Sequence, residues 1–162
     1  MNTELHKLFV DQLRDMYDAE LRIVEALPKK IEKAQSSDLK AGLEQHLGET
    51  KTQIKRLDEV FELINEKQTR NTCQATKGLI KEAEELLSEF EGSSAIDAAI
   101  VCAGQKIEHY EIATYGCLCT WAKQMGHDKA YVLLHESLEE EKAADETLSR
   151  AAIGEVNLAA HH

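Results

Sequence analysis

The sequence predicts an all-α fold, an antiparallel four-helix bundle with a short extra helix in the connection between its second and third long helices. Three observations carry this prediction. The 162 residues include a single proline and eight glycines, and aromatic residues make up 5% of the chain. Apolar residues recur at steps of three and four, which is the spacing of one helical face. The periodic segments follow one another in the order long, long, short, long, long.

The first long helix is predicted from about Thr3 to about Gln35. Pro28 lies inside this segment, and we expect it to bend the helix without ending it, because the apolar stripe continues as far as Ile31. The stripe consists of Leu5, Leu8, Phe9, Leu13, Met16, Ile23, Leu27 and Ile31.

The remaining elements are separated by turn signals. Ser36, Ser37 and Asp38 predict a turn and an N-cap ahead of a second long helix. Ser94, with Asp97 three residues later, predicts a capping box for the third long helix, and Gly126 predicts its C-terminal turn. The predicted ranges are 38–67 for the second helix, 77–90 for the short one, 95–125 for the third and 129–152 for the fourth.

The connections define the topology. Tight turns join helices one to two and three to four, so each pair should form an antiparallel hairpin. The middle connection carries its own helix and is long enough to cross the length of the bundle, as in ferritin-like folds with one crossover. We expect one domain over residues 1–153 and a frayed tail over residues 154–162.

The charge and hydropathy patterns exclude some classes of partner. The formal net charge is −11, which disfavours nucleic acid and anionic lipid. No apolar run is long enough to span a bilayer. The first residues, MNTELHKLFV, lack the pattern of a signal peptide, so we expect a cytoplasmic protein with no nucleic-acid and no membrane partner.

Acidic residues interrupt the apolar stripe of every long helix. A carboxylate buried without a partner costs several kcal/mol, so four such interruptions indicate a common cause. The two members of each pair share a helical face, and all lie at similar distances from the predicted turns. The candidates are Glu20 in helix one, His46 and Glu49 in helix two, Glu108 and Glu111 in helix three, and Glu141 and Asp145 in helix four.

This layer predicts a site for two metal ions. Oxygen ligands with a single imidazole suit iron, with manganese as the alternative. Each residue taken alone can be explained without a metal: Glu20 and Glu108 could be surface glutamates, and His46 could be a core histidine. The helical phase also leaves open whether Glu140 or Glu141 faces inward, and Asp145 could instead pair with a nearby cation.

Four segments resemble the YciF/YciE family of ferritin-like bacterial stress proteins, and within it the YciF branch. They are DMYDAELRIVEALPK, EQHLGETKTQIKRLDEVFE, AGQKIEHYEIATYG and LEEEKAADETL. The resemblance implies a helical bundle with a dinuclear metal site, a tendency to form homodimers and a link to stress responses. It supports as ligands Glu20, His46, Glu49, Glu108, Glu111 and Glu141.

The chain departs from the wider ferritin-like pattern in helices two and four. The usual Glu-x-x-His order is reversed as His46 then Glu49, and Asp145 stands where a histidine is expected. The leading hypothesis is a di-iron oxidoreductase that consumes oxygen or peroxide. The alternatives are a non-catalytic stress-induced binding or scaffold protein with a structural metal and, less favoured, iron storage. The sequence assigns no catalytic residue.

Overall fold

The computed structural model describes residues 3–161, and within that range every regular element is helical. The all-α prediction is therefore confirmed. The elements are α1 (Glu4–Lys33), α2 (Ser37–Leu63), α3 (Gln74–Glu89), α4 (Ile96–Gln124), α5 (Asp128–Ala151), a π-helical turn (Ala152–Val156) and α6 (Asn157–Ala160).

The four long helices form a closed ring in which each packs on two others. Helices α1 and α5 each pack against both α2 and α4. The α1–α2 and α4–α5 connections are tight turns, and α4 begins beside the α1–α2 turn, so α4 runs antiparallel to α1 and parallel to α2, while α5 runs parallel to α1. The segment between α2 and α4 must return the chain along the whole bundle, and α3 does this while packing on α1 and α4.

Most helix boundaries follow the local signals, although α2 ends at Leu63, four residues before its predicted end, and α3 begins at Gln74, three residues before its predicted start. Helix α1 continues through Pro28 to Lys33, as predicted. The Ser36 side chain accepts a hydrogen bond from the Leu39 N–H and caps α2, and Gly126 has a φ of 75° just after α4.

The predicted capping box of Ser94 and Asp97 is wrong. Helix α4 has no side-chain cap, and Ser94 is exposed. The buried Asp97 carboxylate instead accepts hydrogen bonds from the backbone N–H groups of Gln35 and Ser36, each at 2.8 Å. The turn amides face this carboxylate across the end of the bundle, so Asp97 joins α4 to the α1–α2 turn.

The apolar core is divided into two clusters. One contains Phe9, Leu13, Met16, Leu57, Phe61, Tyr115, Leu118 and Leu134. The other contains Ile23, Leu27, Leu39, Leu43, Ile100, Ile107, Leu148 and Val156. On each long helix the residues between the two clusters are polar, so one buried polar layer crosses the bundle near its middle.

The C-terminal residues differ from the predicted frayed tail. The π-helical turn continues directly from α5, and α6 follows it as far as Ala160. The reason is Val156, which is 3% exposed and packs into the second core cluster. His162 lies outside the described residues. No helix in the described range is both long and apolar enough to cross a membrane.

Replacing Asp97 with alanine should lower the free energy of unfolding by about 2 kcal/mol, because two part-buried amides lose a charged acceptor. Urea unfolding measures this change. Ser94→Ala is the matched control and should leave the unfolding midpoint unchanged. Equal effects of the two substitutions would contradict the assignment of Asp97 to the α1–α2 turn.

Candidate metal centre

Four buried side chains from three helices converge in the polar layer. His46 from α2, Glu108 and Glu111 from α4, and Glu141 from α5 each place one ligand atom so that all four atoms lie within 4.8 Å of one another. The Nε2 of His46 lies 3.2 Å from Oε1 of Glu108. The i, i+3 spacing of Glu108 and Glu111 puts both carboxylates on the inner face of α4.

Helix α1 contributes a fifth buried group, Glu20. Its side chain is fully buried, and the Tyr115 hydroxyl donates a 2.5 Å hydrogen bond to its Oε1. Burial and the charge of Glu141 raise the pKa of Glu20 well above its ordinary value. Glu20 also raises the pKa of Glu111, which places these two carboxyl groups in the same electrostatic environment.

The structure distinguishes Glu141 from Glu140. Glu141 is fully buried, and Gln53 donates a 2.5 Å hydrogen bond to its Oε1. Glu140 instead turns toward Arg56, whose guanidinium donates to its two oxygens at 2.7 Å each. The helical phase of α5 therefore directs Glu141 into the layer and leaves Glu140 at its rim.

Two predicted ligands lie at the edge of the layer. The Glu49 side chain is 26% exposed, and its Oε2 is 3.8 Å from Nδ1 of His46. The Asp145 side chain is 23% exposed and lies 3.3 Å from the exposed His109 ring. Neither belongs to the four-residue cluster. Glu49 is near enough to contact an ion beside His46, whereas Asp145 lies against the His109 ring at the surface.

The carboxyl groups of Glu20, Glu108 and Glu111 resist ionisation when no cation is present. Burial raises the pKa of Glu108 and Glu111, and the neighbouring Glu141 raises both further. Lys30, which is buried one layer away, partly opposes this effect on Glu108. Burial lowers the pKa of Lys30 itself.

Lys30 belongs to this environment, but its place in the sequence does not indicate this. It occupies the same face of α1 as Ile23 and Leu27, but a lysine in an apolar stripe is usually explained by its long stem reaching solvent. Here the side chain is only 6% exposed. The sequence allowed Tyr115 a place next to the ligands but favoured core packing, and it did not identify Glu20 as its partner.

The donor atoms fit a cation. Most buried polar atoms in proteins have a hydrogen-bond partner, but here the unpartnered ones concentrate in one layer. Eight of the ten such atoms among the described residues lie there, namely Glu20 Oε2, both ring nitrogens of His46, Gln53 Oε1, Glu108 Oε2, both oxygens of Glu111 and Glu141 Oε2; the other two are Arg14 Nε and Asp145 Oδ1. Positive charge in their midst would satisfy these atoms and relieve the repulsion between the carboxylates. Oxygen-rich ligands with one imidazole are typical of iron or manganese sites.

Comparisons with known proteins agree with the fold and with the family resemblance. Residues 4–161 match a family model described as a domain of unknown function, DUF892. The chain is 44% identical over 154 residues to Protein YciF of Escherichia coli K12, covering 94% of this chain and 93% of that protein.

Solved structures give the same result. The crystal structure of the E. coli stress protein YciF superposes with a TM-score of 0.91 at 44% identity, over 97% of this chain and 99% of that one. YcfI from Rhodopseudomonas palustris superposes with a TM-score of 0.88 at 47% identity, over 91% and 94% of the two chains. A protein from Xanthomonas campestris, at 20% identity and a TM-score of 0.75, shares the fold.

The metal-free protein should lose stability as the pH rises above about 4.5, the ordinary value of a glutamate carboxyl. The raised pKa values of Glu20, Glu108 and Glu111 mean that the folded state holds protons which the unfolded state has released. Their contribution is complete below the unfolded-state pKa and is lost as the pH rises through the folded-state values.

Chelator-treated protein unfolded in urea at pH 5 and pH 8 tests this prediction. Glu111→Gln removes one of the titrating groups and should make the loss between the two pH values smaller than in the parent. Glu146→Gln, an exposed acid on α5, is the control and should retain the parent loss. A Glu111→Gln variant with the same loss as the parent would contradict the assignment.

Proposed function

This chain belongs to the DUF892 family, and from that membership together with its buried carboxylate layer we propose that it is a stress protein that binds two metal ions, preferentially iron. One observation carries the proposal. Buried acids from three of the four long helices, α1, α4 and α5, meet a histidine from α2 in one layer, and eight of the polar atoms there lack a hydrogen-bond partner. A structural role for protein groups alone does not explain such a concentration, because unpaired buried charge is strongly destabilising.

Five residues would hold the ions: Glu20, His46, Glu108, Glu111 and Glu141. Glu49 stands beside His46 with room to bind from the edge of the layer. Carboxylates suit a two-metal site because one carboxylate can bridge two ions. Manganese is the alternative ion, since it accepts the same ligands.

The proposed reaction is the reduction of peroxide or oxygen. A pair of reduced iron ions would supply two electrons, the number needed to cleave one peroxide O–O bond. The chain's own groups would position the centre and exclude water. Gln53 fixes one oxygen of Glu141, and Tyr115 holds a proton on its hydroxyl against Glu20 Oε1.

The residues around the layer keep other charges away from it. Arg56 binds Glu140 and Glu136 at the rim and offsets part of their charge, although Glu140 still contributes to the raised pKa of Glu20. Lys30 lies on the opposite side and offsets part of the negative charge of Glu108 and Glu111. These contacts would allow several carboxylates to remain buried without metal long enough for the bundle to fold.

A second candidate is a scaffold protein whose metal is structural. The polar layer connects all four long helices between two separate apolar clusters, so an ion there would hold the bundle together at its middle. Such a protein would need the metal for stability and would carry out no reaction. Metal binding is common to both candidates, and peroxide consumption separates them.

Metal analysis tests the shared claim. Protein loaded anaerobically with ferrous iron and then desalted should retain two irons per chain. The double variant Glu111→Ala plus Glu141→Ala should retain fewer than one. Glu139→Ala plus Glu146→Ala is the matched control, because it removes two exposed acids from α5 and should keep the parent content. Iron retention that is equal in all three proteins would mean that iron binds to the acidic surface.

Peroxide consumption tests the reaction. Ferrous-loaded parent protein should consume hydrogen peroxide in a single turnover. The control variant Glu139→Ala plus Glu146→Ala should do so at the parent rate. The same iron free in solution supplies the background. If the loaded parent consumes peroxide no faster than free iron does, and chelation lowers its melting temperature, the scaffold function is the correct one.

A further inference from the structure

A long groove lies between α2 and α5 and extends to the candidate metal centre. Its volume is about 390 Å³, which falls in the range of roughly 300–1,000 Å³ typical of small-molecule sites. The inner part is lined by His46, Glu49 and Glu108. The outer part is lined by residues near the start of α2 and by the π-helical turn after α5.

Small residues on both helices create the groove. Gly42 of α2 faces Ala143, Ala144 and Thr147 of α5 across it. A Cβ atom added at Gly42 would meet only the Thr147 Cγ2, at 3.7 Å, which is an ordinary contact. A glycine inside a helix costs about 1 kcal/mol relative to alanine, so helix packing does not require glycine here, and its effect is to leave the space open.

The groove has the length of an extended organic molecule. Its α2 wall runs from Ser36 to Glu49, about 20 Å at 1.5 Å per residue. Apolar side chains from both helices and from the π-helical turn form its sides, and these are Leu39, Leu43, Leu148, Ala151 and Val156. An ion or a diatomic molecule needs neither this volume nor these walls.

The charges along the groove determine which ligands it favours. Four acids line it, Asp38, Glu49, Glu108 and Glu155, against the single guanidinium of Arg150. An anionic ligand would be repelled, and a strongly cationic one would be desolvated by the apolar walls. An uncharged molecule with an apolar body and one polar end fits both constraints.

We propose that the α2–α5 groove binds an uncharged organic molecule whose apolar body lies along Gly42, Leu43 and Leu148, with its hydroxyl or hydroperoxide group beside His46 and Glu108. This inference rests on the proposed function, because it names the class of molecule that the same centre receives. It extends the substrates of the centre from small peroxides to organic ones. The groove reaches His46 and Glu108, two of the residues that would hold the metal, so the polar end would lie next to the centre.

Calorimetric titration with cumyl alcohol tests the proposal, because this probe has an apolar body and one hydroxyl and is not an oxidant. Gly42→Leu fills the groove and should weaken binding by at least about tenfold. Gly48→Leu is the matched control: it makes the same change in the same helix, at an exposed glycine with no atom within 4 Å of the added Cβ. It should bind the probe as the parent does.

Two additions keep the result interpretable. Ala144→Leu fills the groove from α5 and replaces Gly42→Leu if the latter does not fold, as judged by circular dichroism. Benzoate, which is similar in size to the probe but anionic, should bind the parent at least about tenfold more weakly. Absence of probe binding by the parent, equal binding by the filled variants, or equal binding of benzoate would each overturn the proposal.

Iron content and oligomeric state, measured on the same samples, separate this proposal from the one on which it rests. A parent that retains iron but does not bind the probe overturns the groove assignment alone. A parent that binds the probe but retains no iron overturns the metal centre alone. A filled variant that dissociates a parent dimer while still binding the probe would assign the groove to contact with a second copy, against the proposal.

Discussion

The structure depends on the cost of placing several carboxyl groups in the middle of a helical bundle. Burial and mutual repulsion raise the pKa of Glu20, Glu108 and Glu111. A bundle with apolar residues of similar volume at these positions would be more stable. The bundle nevertheless places them at one level and surrounds them with groups that fix their positions. Tyr115 and Gln53 donate hydrogen bonds to two of these carboxyl groups, and Lys30 offsets part of the negative charge. Other carboxyl oxygens have no partner, which is the arrangement expected of a cation site.

The same layer explains the organisation of the core. The two apolar clusters lie on either side of it, so the bundle is held at both ends by hydrophobic packing and by specific contacts such as Asp97 with the α1–α2 turn. The groove between α2 and α5 follows from the same division, because small residues replace large ones along the part of α5 next to Glu141. Access to the centre is thus a consequence of which residues are small.

Helical periodicity and turn residues were sufficient to predict the helices, the crossover and the level of the polar layer. Periodicity favoured Glu141 over Glu140 but left the choice open, because it depends on the rotation of α5 by one residue. In the structure Gln53 contacts Glu141 and Arg56 contacts Glu140. The positions of Glu49 and Asp145 at the edge depend on the same packing. Asp97 gave a local capping signal, but its carboxylate accepts hydrogen bonds from the backbone amides of the α1–α2 turn instead.

Anomalous diffraction from crystals of iron-loaded protein tests the central claim most directly. If the carboxylate layer is a dinuclear centre, data collected at the iron edge will show two adjacent peaks per chain, bonded to Glu20, His46, Glu108, Glu111 and Glu141. Peaks found only at exposed acids, with water among the buried carboxylates, would contradict it. In that case the layer would be a hydrated polar core, and the unpartnered oxygens would be satisfied by water instead of metal.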